Sequence, residues 1–162
     1  MKIKIYKSET ADTRSAKEKV TKEKLLSSSK QHIGDVRKAM AWMRDKLIGI
    51  SNRHDWSKVD YINEFFDNFK AVQDNKDLDF KKLGWFEKHV TEERHHVNDH
   101  CPEDVNLFDL LERVADITMA GMARTGTIYD DTLSPEILTK AYKNTIDLLK
   151  NNIEVLEDKE AN

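Results

Sequence analysis

Residues 22–47 read KEKLLSSSKQHIGDVRKAMAWMRDKL. Leu25, Leu26, Ser29, Ile33, Val36, Met40, Met43 and Leu47 recur at the spacing that lines one stripe of an α-helix. No proline interrupts the run, and Gly49 follows it as a helix end. By a count of about 100° per residue, His32 sits about 60° from the centre of the stripe, at the edge of the buried face.

The same period returns downstream. Ser57 and Asp60 have the spacing of a capping box and open a helix to about residue 73, with Val59, Ile62, Phe65, Phe66, Phe69 and Val72 on its buried face. Residues 80–96 form the next helix, lined by Leu83, Phe86 and Val90. Asn106 caps a helix to about residue 123, with Leu107, Leu110, Leu111, Val114 and Ile117 facing the core. Ser134-Pro135-Glu136 starts the last one, which packs Leu138, Tyr142, Thr145, Leu149, Ile153 and Leu156. These elements predict an all-α protein, a single-domain bundle of five or six helices over 22–158. An N-terminal arm over 1–21 precedes it and a short tail over 159–162 follows. Residues 1–8 alternate and are expected as an edge strand or ordered arm; 12–24 are nearly all polar, an exposed helix or a tail.

The chain has 162 residues, 38% hydrophobic and 35% charged, polar but too rich in aromatic and branched aliphatic side chains to be disordered. A net charge of −3 supplies no global basic field for nucleic acid. No apolar run approaches the roughly 18 residues of a membrane span, and MKIKIYK lacks the apolar centre of a signal peptide. A lone Cys101 excludes internal disulfides and suits a reducing compartment. A cytoplasmic protein is expected, with a homo-oligomer left open.

The chemistry gathers in and around residues 85–116, WFEKHVTEERHHVNDHCPEDVNLFDLLERVAD. Four of the six histidines (His89, His95, His96, His100) fall there within twelve residues. Imidazoles and carboxylates at helical spacing are the usual ingredients of a transition-metal site. On a continuous helix His89 and His96 share a side, while His95 points about 100° away and is expected at the surface or behind the ligands, with His100. Asp116 falls opposite the apolar face with Asp109 and Glu112, yet the run ITMAGMA after it is apolar on nearly every side. Such a helix is buried, so Asp116 stands where it enters the interior and needs a partner, a proton or a metal. His54-Asp55 precedes a helix start, on a connection where functional groups favour a rigid frame.

The order His32, His54-Asp55 and a distant Asp116 resembles the HD-domain metal-dependent phosphohydrolases. H-D-x-S-K (His54 to Lys58), a histidine-rich segment with N-x-H (Asn98 to His100) and D-L-L-E-R-x-A-D (Asp109 to Asp116) are similar, more narrowly, to an uncharacterised bacterial and phage family. The likeness covers residues 30–122. It implies His32, His54, Asp55 and Asp116 as ligands of one divalent ion (Mn, Fe, Co, Ni or Zn). His89 and His96 would serve a second ion, bridged through Asp55. The ion would activate water against a nucleotide or related phosphoester, with Asp55 at the centre of catalysis. Lys58 and Arg53 would clamp phosphate, and Glu93, Glu64 or Glu92 would handle the proton. The gap from His32 to the His-Asp pair is short, and the Gly-Tyr-Pro signature of the two-metal cyclic-dinucleotide enzymes is absent. The second ion and the substrate class therefore stay open. The alternatives are a non-catalytic, metal-stabilised helical binding module and a structural protein with incidental histidines.

Overall fold

A computed structural model describes residues 2–7 and 21–157. The expected tail and most of the polar stretch over 12–24 lie outside the described residues. Within them the protein is all-α apart from two four-residue strands. In chain order the elements are β1 (Ile3–Tyr6), α1 (Lys22–Ser51), α2 (Trp56–Asp60), α3 (Ile62–Asp74), a 3₁₀ turn (Phe80–Lys82), α4 (Gly84–Glu92), α5 (Leu107–Thr125), α6 (Pro135–Asn151) and β2 (Ile153–Leu156). No helix among the described residues is long and apolar enough to cross a membrane. The chain divides into two compact units, Met1–Leu47 with Ile146–Asn162, and Ile48–Thr145.

In the first unit β1 and β2 pair in parallel, with Ile3 opposite Ile153 and Tyr6 opposite Leu156. The pairing corrects the end of the last helix. Ile153 and Leu156, expected on its buried stripe, are in a strand. The helix stops at Asn151, and the Asn152 side chain donates to Leu148 O at 2.8 Å. Ile153 and Val155 are β-branched and alternate, which suits a strand once Ile3 and Ile5 offer a ladder. Gln31 and Lys38 of α1 donate to the β1 carbonyls of Tyr6 and Lys4, at 3.1 and 3.0 Å. Gly49 does not end α1, which runs on to Ser51. A glycine in helical conformation costs about 1 kcal/mol against alanine and is no stop by itself.

The second unit packs Val97, Val105, Leu110 and Ala141 at its centre, with Leu107, Leu133 and Ile137 against them. An aromatic layer lies beside α3 and α4. Phe65 stacks on Trp85 at 4.0 Å, and Phe80 meets Phe69 and Phe86 edge-on. The helix expected from Ser57 breaks at Tyr61 (φ −109°, ψ 34°) into α2 and α3. The helix expected over 80–96 begins as a 3₁₀ turn and ends at Glu92, so His95 and His96 lie in turns.

α5 is rotated from its expected setting. Leu111 and Val114 are 51% and 59% exposed, while Asp109, Leu110 and Arg113 are buried. The cause is a capping box. Asn106 Oδ1 accepts from Phe108 N at 3.0 Å, and Asp109 Oδ2 accepts from Asn106 N at 2.9 Å. Arg94 then donates to both Asp109 oxygens at 2.9 Å. Asp109, Glu112, Arg113 and Asp116, spaced i, i+3, i+4 and i+7, share a stripe. Fixing its first member inward turns the rest inward. Gly126 closes the helix at φ 73°, a conformation that favours glycine.

Candidate metal centre

Asp55 is the pivot of the second unit. It caps α2 in the left-handed region (φ 54°, ψ 26°) and is the one non-glycine residue with positive φ among the described residues. Aspartate visits this region more readily than most side chains, and such strain gathers at functional sites. Its carboxylate makes no cap bond to α2. Lys58 donates to Oδ2 instead, while Oδ1 faces the histidines.

Four imidazoles surround it. His54 Nε2 lies 3.4 Å from Asp55 Oδ2 and 3.6 Å from Asp116 Oδ1. His95 Nε2 lies 3.7 Å from Asp55 Oδ1 and 3.9 Å from Asp116 Oδ2. His89 Nε2 lies 3.7 Å from Asp55 Oδ1. The His96 ring sits 4.6 Å from His89 and 4.4 Å from His95, centre to centre. Each Nδ1 faces a polar group behind the ring, and His54 and His95 share one. Glu112 Oε1 is 3.0 Å from His54 Nδ1 and 3.3 Å from His95 Nδ1. Ser57 Oγ shares a 2.7 Å hydrogen bond with His89 Nδ1, and Asp99 lies 3.8 Å from His96 Nδ1. Trp85 stacks on His89 at 4.7 Å and fixes the plane of that ring.

The electrostatics favour neutral His89 and His96 beside the ionised carboxylates of Asp55 and Glu112. Burial, with His96 and Lys58 nearby, pushes His89 down to about 4. Burial and His95 bring His96 down to about 4 as well. Burial also opposes the charged form of His54, but the Glu112 hydrogen bond and the charges of Asp55 and Asp116 outweigh it and raise its pKa. Against the same burial, the Lys58 hydrogen bond lowers Asp55, and the His95 and His54 imidazoles beside it lower Glu112.

Donor atoms within 4.8 Å of one another fall into four sets. They are His54, Asp55 and Asp116; Asp55, His89 and His96; Asp55, Glu93 and His95; and His54, His95 and Glu112. Asp55 Oδ1, both nitrogens of His95 and His96 Nε2 are buried without a hydrogen-bond partner. The His95 Nδ1–Glu112 contact therefore has hydrogen-bond length without hydrogen-bond alignment. Buried orphan donors and acceptors are costly. Several around one carboxylate, neutral imidazole among them, fit the needs of a divalent cation.

Among the residues marked out in the sequence, His54, Asp55, His89, His96 and Asp116 come together. His32 does not. It lies on α1 in the other unit, outside the donor sets found among the described residues. The sets close within Ile48–Thr145, where His95 Nε2 supplies a fourth donor next to His54, Asp55 and Asp116. Glu93 is buried, its Oε1 accepts Ser57 N–H at 2.9 Å, and it shares a donor set with Asp55 and His95. Arg53 is exposed, 5.5 Å over the Trp56 ring. Glu92 and Glu64 are exposed too, Glu64 lying 3.5 Å from Lys88. His100 and Cys101 are exposed and outside the donor sets.

Three participants escaped the sequence reasoning. His95, 1% exposed, was turned away by the assumption of a helix through residue 96. Ser57 has the spacing of a helix cap and is instead fully buried against His89. Glu112, opposite the apolar face of α5, faces two imidazoles. The polar stripe starting at Asp109 carried the signal for Glu112; no residue type near Glu92 signals the early end of α4.

The fold and the site define an all-α protein with a half-buried histidine–carboxylate cluster between the turns that flank α2 and α4 and the polar face of α5. The chain belongs to the family described as "Family of unknown function (DUF5662)", which it matches over residues 21–159. No curated protein and no solved structure matches it.

Proposed function

We propose that the protein is a metal-dependent phosphohydrolase acting on a nucleotide or related phosphoester. The observation that carries this is the orientation of the histidines. The Nε2 atoms of His54, His89 and His95 face Asp55, two of them Asp116 as well, while every Nδ1 turns to a group behind it. His54, His95, Asp55 and Asp116 would hold one divalent ion. Asp55 Oδ1, His89 and His96 would hold a second. Mn, Fe, Co, Ni and Zn all accept this mixture of imidazole and carboxylate. Such an ion, when bound, supplies Lewis-acid polarisation of a phosphoryl oxygen and acidifies water.

The chain's own residues do the rest. Lys58, beside Asp55 and more than a third exposed, offers an ammonium to a phosphoryl oxygen at the open edge of the cluster. Arg53, one residue before His54, extends that positive edge. Ser57, Glu93 and Trp85 hold the ligands in place, and burial of His89, His95 and Glu93 keeps bulk water from the inner wall. Within the second unit, the likeness to the HD-domain phosphohydrolases rests on the His54-Asp55 pair and the later Asp116.

A non-catalytic, metal-stabilised module is favoured by a different observation. The apolar centre of the second unit is thin, and an ion would tie together the very turns it leaves weakly packed. A panel of nucleotides and phosphoesters, assayed with and without Mn, separates the two. Turnover that disappears in Asp55→Ala supports the hydrolase; ion binding with no turnover of any substrate supports the module.

A further inference from the structure

We propose that Glu112 is the positioning residue of the centre: one carboxylate oxygen that sets the tautomer of both His54 and His95, and so turns both Nε2 atoms toward the ion. This rests on the metal reading above and adds a residue that the sequence motifs left as a surface acid.

Glu112 Oε1 lies within 3.3 Å of both Nδ1 atoms, at 3.0 Å from His54 and 3.3 Å from His95. An ionised carboxylate only accepts hydrogen bonds, so the His54 Nδ1 bonded to it carries the proton. For His95 too the Glu112 oxygen is nearer to Nδ1 than the Asp55 and Asp116 oxygens are to Nε2, which favours the proton on Nδ1. A neutral imidazole has a single N–H, and each Nε2 is then left with a lone pair. Both Nε2 atoms face the Asp55–Asp116 pair, between 3.4 and 3.9 Å away. Without a partner on Nδ1, a neutral histidine side chain prefers the opposite tautomer, with the proton on Nε2. That proton would have to leave before a cation could bind.

The two histidines come from different places. His54 is in the turn before α2 and His95 in the turn after α4, and their ring centres are 4.8 Å apart at 42°. Glu112 ties both to α5. Arg113, the next residue, donates to His95 O at 3.3 Å and pairs with Asp131 at 2.7 and 2.9 Å. α5 therefore grips His95 by its ring and by its backbone. The competing role is that of a ligand, since Glu112 with the two Nδ1 atoms also forms a compact donor set. In that case the rings would be turned over, with Nδ1 and not Nε2 toward the ion.

The test is long-range proton–nitrogen NMR of the imidazoles in metal-free protein, at alkaline pH where they are neutral, followed by titration with Zn or Co. In the wild type, His54 and His95 are expected as Nδ1–H tautomers. In Glu112→Ala both shift toward Nε2–H, while His89, held by Ser57, stays unchanged as the internal control. Ion affinity falls about 10- to 100-fold, with the number of ions per chain unchanged. Glu112→Gln keeps the volume and one acceptor oxygen, and about a 10-fold loss is expected; it serves where the alanine variant does not fold. Nε2–H tautomers in the wild type, tautomers indifferent to the substitution, or loss of one whole ion per chain would each overturn the proposal. Should the wild type bind no divalent ion, the metal reading falls, while the tautomers of the metal-free protein still decide the role of Glu112.

Discussion

Replacing Asp109 by alanine should destabilise the protein more than replacing Leu111, the reverse of what hydrophobic periodicity implies. Leu111 is half exposed, so Leu111→Ala removes about half of a leucine transfer energy and opens no closed cavity, costing about 1 kcal/mol. In a core it would cost about 2–5 kcal/mol. Asp109 accepts three hydrogen bonds, one from Asn106 N–H and two from Arg94. Charge-assisted bonds contribute about 1.5–3 kcal/mol each and a helix cap about 1 kcal/mol. Arg94 keeps Asp104 as a partner and a side chain 38% exposed, so it is not stranded without water. Asp109→Ala should therefore cost about 3 kcal/mol, or about 6–12 °C in melting temperature. Urea unfolding followed by tryptophan fluorescence measures both variants. Leu111→Ala costing more than Asp109→Ala would mean that α5 is rotated as its apolar pattern suggests, and that Glu112 and Asp116 do not face the histidines.

A Cβ at Gly121 would lie 2.5 Å from Thr127 O and 2.8 Å from Tyr129 N, so Gly121→Ala should lower stability by about 1–3 kcal/mol. Gly34 meets nothing within 4 Å in mid-helix, and Gly34→Ala should raise stability by about 0.5–1 kcal/mol; thermal melts of the pair should shift in opposite directions. Metal-free protein should weaken in mild acid. His89 and His96 titrate near 4 when folded and near 6.5 when unfolded, so the unfolded chain binds more protons between those values. Their contribution is full above about 6.5 and is lost as pH falls toward 4, with a limiting slope of about 1.4 kcal/mol per pH unit for each. His54, with its raised value, acts oppositely: its contribution is full below 6.5 and fades as pH rises through its folded pKa. Stability curves across this range, with chelator present, check the sign. His32→Ala should leave the number of bound ions per chain unchanged, as measured by elemental analysis, because the donor sets close without it.

The helices of this chain were legible because their apolar residues repeat at helical spacing and their starts carry Asn106 and Ser134-Pro135. The convergence of His54, Asp55, His89, His96 and Asp116 was legible from residue type and order. What stayed hidden depended on where regular structure stops. α4 ends at Glu92 with no glycine or proline to mark it, and that end brings His95 into the cluster. Ser57 looked like a cap because its spacing to Asp60 fits one, whereas the left-handed turn at Asp55 leaves it against His89. On α5 the apolar and polar stripes were both visible. A single capping contact, Asp109 to Asn106, decides which one turns inward.

Metal content tests the centre most directly. Protein purified without chelator is expected to carry a divalent ion. Stripped protein given Mn or Zn at a hundred times the dissociation constant should gain about 2.7 kcal/mol of stability. Asp55→Asn, which alters a ligand common to three of the four donor sets, should abolish that gain. A protein that carries no metal, and whose melting temperature ignores every added divalent ion, would contradict the assignment.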